Sequence, residues 1–290
     1  MTHQEITYHS PCKFNLFLDV TGRRPDGFHE VATIIEPLSL SDTLHLQETS
    51  GEISVTSDQP EIPDGPDNIV YQAVRLLREE TGEDRGVRIR VEKNIPAAAG
   101  LGGGSANAAR TLQTLNSIWK LNLPPPALSR IAARLGSDVP FFLNPRTSHC
   151  RGRGEMITPL PRAPRFQAVL IKPPLPIPTR WAYEQLAISA PLSPRRNIQD
   201  IITALENSDL SALGSSLYNI FQEVLEPKIP ELRNILEFFR KNNTIGAILS
   251  GSGSTVVGLL ETEFEAQSLA DQARAIFPGE YFIRVATNLI

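Results

Sequence analysis

Apolar and polar residues alternate along residues 13–20: Phe14, Leu16, Leu18 and Val20 fall on one face, Lys13, Asn15 and Asp19 on the other. That is the period-two signature of a strand. The turn residues Pro25, Asp26 and Gly27 close it, and the apolar run 31–40 predicts a second strand. Asn68 then precedes Ile69, Val70, Ala73, Leu76 and Leu77, helical spacing behind an N-cap residue. Val87, Ile89 and Val91 alternate again as a strand. A glycine-rich loop follows. Beyond it, Ala109, Leu112, Leu115 and Ile118 predict one helix, and Leu128, Ile131, Ala132 and Leu135 another that stops at Gly136.

The pattern breaks up over 144–165, where Pro145, Pro159, Pro161 and Pro164 cluster, and a lobe boundary is placed there. Beyond it the spacing predicts a strand over 166–171, a helix after Thr179, and helices over 197–206, 216–225 and 230–241. A hairpin-like pair of runs over 246–249 and 255–260, a helix over 264–277 and a strand over 281–285 complete the chain. Strands and helices mix without strict alternation, so the expected class is α+β with two lobes.

Composition narrows the function by exclusion. The chain has 290 residues with 28 Lys+Arg against 32 Asp+Glu, a formal charge of −4. A broad phosphate-binding surface needs a basic excess, so no nucleic-acid partner is expected. No apolar run approaches the roughly 18–20 residues of a membrane span, and the start shows no secretory leader. Two cysteines, Cys12 and Cys150, make no zinc site by themselves. The expected location is cytoplasmic. The 24 prolines, about 8% against the usual ~5%, gather in short connectors such as Pro124, Pro125 and Pro126, Pro173, Pro174, Pro176 and Pro178, and Pro191 and Pro194.

The strongest chemical signal is the segment PAAAGLGGGSAN, from Pro96 through Gly100, Leu101, Gly102, Gly103, Gly104 and Ser105 to Asn107. Glycines let the backbone turn several N–H groups toward one point. The following helix start adds unpaired donors and its dipole, so an anion such as phosphate suits the loop. No Gly-Lys pair exists for a Walker loop, and the third glycine of G-x-G-x-x-G is missing.

PAAAGLGGGSANAA resembles the phosphate loop of the GHMP kinases, the superfamily of galactokinase, homoserine kinase, mevalonate kinase and phosphomevalonate kinase. SPCKFNLFLDVTGRRPDGFHEV, LGSDVPFFL and GAILSGSGSTVVGL stand in the expected order around it. The resemblance covers nearly the whole chain and is strongest to the branch acting on a cytidine-diphosphate-linked polyol. It implies a two-lobed fold, ATP-binding over 1–158 and substrate-binding over 159–290, with the active site in the cleft between lobes. The substrates it implies are ATP, with Mg²⁺, and that polyol.

Residue by residue, the resemblance makes Lys13 and Asp138 catalytic. A positioned carboxylate can accept an alcohol's proton, and a lysine beside it steadies negative charge. Read alone, Asp138 is equally a helix cap before Pro140, and Lys13 an exposed strand lysine. Asn15, Phe28, His29, Thr179 and Tyr183 match substrate-binding positions, with Phe28 where the family usually has tyrosine. Phe28 and Tyr183 are expected to flank a cytosine ring. Trp181 is read as helix packing in the core. Asn68 and Lys93 fall near the adenosine, although Asn68 is also a good N-cap and Lys93 equally a solvated strand end. The small-residue loop Ser250, Gly251, Ser252 and Gly253 is either a plain hairpin turn or a wall of the cleft. No compact acidic or histidine cluster suggests a metal cage, so Ser105 is the one metal contact named, directly or through water. Two other functions stay open here: another small-alcohol kinase such as homoserine kinase, or a GHMP-fold nucleotide sensor without catalysis.

Overall fold

A computed structural model of the chain describes residues 5–186 and 196–289; the connector with Pro191 and Pro194 lies outside the described residues. The class is α+β, with two compact units. The first comprises residues 1–12, 41–97 and 102–145, the second residues 13–40, 98–101 and 146–290. A single cut at 158/159 does not separate them. The long strands β1 (Ile6–Arg23) and β2 (His29–Thr49) each begin in one unit and continue in the other.

In the first unit β3 (Ile53–Ser57) runs parallel to β4 (Gly86–Glu92), which pairs antiparallel with the later half of β2, from Thr43 opposite Glu92 to Thr49 opposite Gly86. Leu44, Leu46, Val87, Ile89 and Val91 turn inward and are fully buried. The helices α1 (Ile69–Thr81), α2 (Gly103–Ile118) and α3 (Pro125–Leu135) bury their apolar stripes here. Tyr8 ties β1 to α2 through a 3.0 Å hydroxyl bond to Thr111.

The second unit holds β5 (Ser148–Arg151), β6 (Met156–Pro159), β7 (Gln167–Lys172) and α4 (Thr179–Gln185). They are followed by α5 (Ile198–Glu206), α6 (Leu210–Ser215), β8 (Tyr218–Asn219), α7 (Ile220–Leu225) and α8 (Pro230–Lys241). The last elements are β9 (Gly246–Leu249), β10 (Val256–Leu260), α9 (Glu263–Ile276) and β11 (Phe282–Thr287). An antiparallel sheet runs in the order β11-β7-β10-β9. The segment expected to be broken holds the β5–β6 hairpin, with β5 antiparallel to β2.

Glu36 on β2 is fully buried in this unit. Asn288 Nδ2 donates to its Oε1 at 3.3 Å, while Oε2 has no partner. Burial pushes this carboxyl up to about 7, against the lowering effect of bonds from Thr147 and Asn288. The unfolded chain therefore loses this proton near the ordinary 4.5, before the folded chain does, and stability falls as pH rises between 4.5 and about 7. Glu36→Gln should remove this loss and, at pH 8, leave the protein more stable by on the order of 1–3 kcal/mol. Urea midpoints at pH 5 and pH 8 measure it; an equal pH dependence in both proteins would refute it.

Candidate active site

The strand predicted around Lys13 is buried on both faces. Lys13 is 4% exposed, and Asn15, Phe17 and Asp19 are buried with it. A solvated strand lysine is thus excluded. Lys13 Nζ donates to Asn15 Oδ1 at 2.9 Å, and the Gly251 N–H donates to the same oxygen at 3.0 Å. Asn15 Nδ2 donates to Thr33 Oγ1 at 2.8 Å, and Thr33 in turn to the Phe17 carbonyl at 2.6 Å. Asn15 is held on three sides, and its oxygen aims the ammonium.

The loop carrying Ser250, Gly251, Ser252 and Gly253 joins β9 to β10, which pair antiparallel, so the hairpin reading is correct as far as it goes. The loop also packs on residues 98–101. Ser250 Oγ donates to the Gly100 carbonyl at 2.9 Å, and the Thr255 N–H to Ala99 O at 3.3 Å. Leu101 O accepts the Lys13 N–H at 3.0 Å. Thr179 opens α4 and its hydroxyl lies 3.2 Å from Ser252 Oγ.

Phe28 and His29 leave the β1–β2 turn on opposite sides, as successive residues of extended chain do. His29 stacks on Tyr183, centroids 4.5 Å apart and planes 22° apart, and the edge of Phe221 meets Tyr183 at 4.9 Å. Phe28 is 52% exposed with the Arg153 guanidinium over its ring at 4.9 Å. The ring in direct contact with Tyr183 is thus His29, the neighbour of Phe28. Burial, with the charge of Arg23, holds the His29 imidazole below its ordinary value. Neutral at pH 7, it offers one donor and one acceptor. Trp181 is 37% exposed rather than a core residue, because Ala182 takes the inward position of α4.

In the first unit, Gly102 in the left-handed region precedes α2. Ala106 N–H makes the first bond back, to Gly102 O, so the N–H groups of Gly103, Gly104 and Ser105 have no acceptor within the helix. No acidic side chain stands in that first turn. Asn68 caps α1: its Oδ1 accepts the Val70 N–H at 2.8 Å and its Nδ2 donates to Pro63 O at 2.8 Å. Lys93 is not a solvated strand end. It pairs with Asp42, which is fully buried and also accepts the N–H groups of Asn94 and Ile95 and the Asn107 amide at 2.8, 2.8 and 2.9 Å. A Cβ at Gly103 would stand 3.1 Å from Lys93 Nζ, so the ammonium lies against the start of α2. Pro96 follows Ile95 into the loop. Asp138 lies in the turn after α3, half-buried, and the position before the short 3-10 helix Pro140–Leu143 is Val139, with no side-chain cap.

Residues 68–145 match the GHMP kinases N terminal domain, and residues 201–279 the GHMP kinases C terminal. The chain belongs to the GHMP kinases. As a member of this kinase family it takes ATP as a substrate. This GHMP kinase is 39% identical over 280 residues to the 4-diphosphocytidyl-2-C-methyl-D-erythritol kinase of Symbiobacterium thermophilum, covering 97% of this chain and 99% of the relative. To the protein of the same name from Alkaliphilus metalliredigens it is 36% identical over 282 residues, 97% of both chains. A crystal structure of 4-(cytidine 5'-diphospho)-2C-methyl-D-erythritol kinase superposes with a TM-score of 0.83 at 33% identity, over 98% of this chain and 100% of that one. Homoserine kinase from Cytophaga hutchinsonii, at 17% identity and a TM-score of 0.75, covering 99% of this chain and 95% of that one, shares the fold.

Two groups in this GHMP kinase escape sequence reading. Asp42 carries a visible signal, since it shares parity on β2 with the buried Leu38, Leu44 and Leu46. A carboxylate in that series needs donors. Asn219 reads only as an N-cap; its bonds to residues 30 and 32 positions later leave no local trace. Among the described residues no group of three or more His, Cys, Asp or Glu stands together, and no helix is long and apolar enough to cross a membrane.

Proposed function

We propose that this GHMP kinase transfers the γ-phosphoryl group of ATP to the 2-hydroxyl of 4-diphosphocytidyl-2-C-methyl-D-erythritol, giving the 2-phosphate and ADP in isoprenoid precursor biosynthesis. What carries the reading is the end-to-end match, at 36% and 39% identity, to proteins of that name. The same reading keeps the enzyme in the cytoplasm, acting on small molecules.

The hydroxyl oxygen attacks the γ-phosphorus as the bond to the β–γ bridging oxygen breaks and ADP leaves. Asp138 accepts the hydroxyl proton and later releases it to water. Lys13, aimed by Asn15, places its ammonium where negative charge develops. The N–H groups of Gly103, Gly104 and Ser105, with the loop through Pro96, Gly100, Leu101 and Gly102, hold the ATP phosphates. A first turn without acidic residues suits such a polyanion. Asn68 and Lys93 serve the adenosine side, Asn68 by shaping the start of α1. The Ser105 hydroxyl would hold Mg²⁺, directly or through water, and the ion would supply neutralisation of the nucleotide's phosphate charge.

Neutral His29, stacked on Tyr183, matches a cytosine edge with a donor and an acceptor. Phe28 adds an aromatic face at the rim, Thr179 a hydroxyl, and the backbone of Ser250, Gly251, Ser252 and Gly253 a close wall for phosphates. A coupled ADP-release assay over a panel of alcohols tests the proposal. Turnover should appear with the cytidylylated polyol and stay near background with homoserine, mevalonate and galactose. Equal turnover with homoserine would overturn the substrate.

A further inference from the structure

Asn219 is 2% exposed and ends β8, a two-residue strand parallel to β1, with Leu18 opposite Asn219. Its carboxamide is spent in two directions. Oδ1 accepts the Phe221 N–H at 2.9 Å and caps α7. Nδ2 donates to Leu249 O at 2.7 Å and to Gly251 O at 2.8 Å, using both of its hydrogens on the end of β9 and the loop beyond it.

Each direction leads to a different part of the substrate-facing machinery. From the cap, α7 presents the edge of Phe221 to Tyr183, which stacks on His29. On the loop side, Gly251 has its carbonyl held by Asn219, while its N–H donates to the Asn15 oxygen that receives Lys13 Nζ. Gly251 sits at φ +56, in the left-handed region, where few other residues would keep that peptide in place. Gln222 Oε1 accepts the Leu249 N–H at 2.8 Å and supports the strand end.

We infer that Asn219 is a positioning residue: it registers the Gly251 peptide, and through it Asn15 and Lys13, against the His29–Tyr183 pair. The inference rests on the kinase reading above for its catalytic consequence and on geometry alone for its structural one.

Asn219→Asp separates the two directions. Aspartate caps a helix as well as asparagine does, so α7 and the aromatic pair keep their anchor. The donors, however, become a carboxylate oxygen facing two carbonyls. Amide exchange at Gly251 should accelerate by at least about tenfold while Phe221 exchange stays unchanged. With the cytidylylated polyol, kcat should fall at least about tenfold with KM for ATP within about twofold. In an Asn15→Ala background the same substitution should cost less than about threefold, because its route to Lys13 is already cut. A residue that merely supports the fold would act equally in both backgrounds.

Asn219→Ser, which keeps an acceptor for the cap without adding charge, repeats the test should the aspartate variant fold poorly. Unchanged exchange at Gly251, or an equal kinetic factor in both backgrounds, overturns the inference. Absent turnover in the native protein would overturn the substrate reading instead, and the exchange comparison would still decide whether Asn219 holds the loop.

Discussion

Asp138→Asn should lower kcat by about two to four orders of magnitude, the usual contribution of a general base, while KM for ATP changes little. The substitution preserves shape and removes the ability to take a proton. Two features of the turn after α3 favour a chemical over an architectural role. Val139, not Asp138, occupies the N-cap position of the 3-10 helix. The turn is closed by backbone, with the Val139 N–H donating to Gly136 O at 3.3 Å. Stability should therefore stay within about 1 kcal/mol of the native protein. Steady-state kinetics beside a urea titration separate the two effects. An Asn variant retaining a tenth or more of native kcat would remove Asp138 from the chemistry.

Gly100→Ala should be the most damaging single methyl in the glycine segment. Gly100 sits at φ +75, and a Cβ there would stand 2.0 Å from the Ser250 carbonyl oxygen and 2.9 Å from its carbon. Backbone cannot swing away as a side-chain tip can. Either residues 98–101 or the loop from Ser250 must move, breaking the Ser250 bond to Gly100 O and disturbing the Leu101 carbonyl that holds the Lys13 N–H. Left-handed strain and overpacking together cost about 2–4 kcal/mol. kcat/KM should fall at least about a hundredfold, since both loops lose register. Gly104→Ala is the contrast. Its Cβ would meet only Ile69 Cγ2, at 3.6 Å, so its stability should stay within about 0.5 kcal/mol of native. Equal stability losses in the two variants would show that the close approach at Gly100 does not govern the segment.

Much of the fold was legible because its signals are local. The helix behind Asn68, the helix stopping at Gly136 and the runs around Ser250 follow from periodicity and caps, and all three stand where expected. What stayed hidden was non-local. Lys13 shows the polar side of an alternating strand, which on sequence alone reads as solvent-facing; only the elements packed over it make that side a buried, ordered one. Phe28 and His29 are adjacent in sequence, yet the stack on Tyr183 depends on which of the two turns inward. The short strand β3 and the β5–β6 hairpin hold four or five residues per strand, too few for alternation to stand out among prolines and arginines.

The interleaving of the two units bears on how this chain is made. Everything in the first unit has been synthesised once Pro145 is added, so that unit can close while the rest is still emerging. The second cannot. Its strand β7 waits for β11, and Leu38 on β2 bridges to Asn288, 250 positions later. Bringing such distant partners together carries a large loop-closure cost and slows folding. Until then, the buried side of β1 that carries Lys13 lacks β8 and the loop that supplies Gly251. The contact of Lys13 with Asn15, and of Asn15 with Gly251, thus forms among the last, and residues 98–101, which pack on the loop from Ser250, wait with it, while the start of α2 can already be in place.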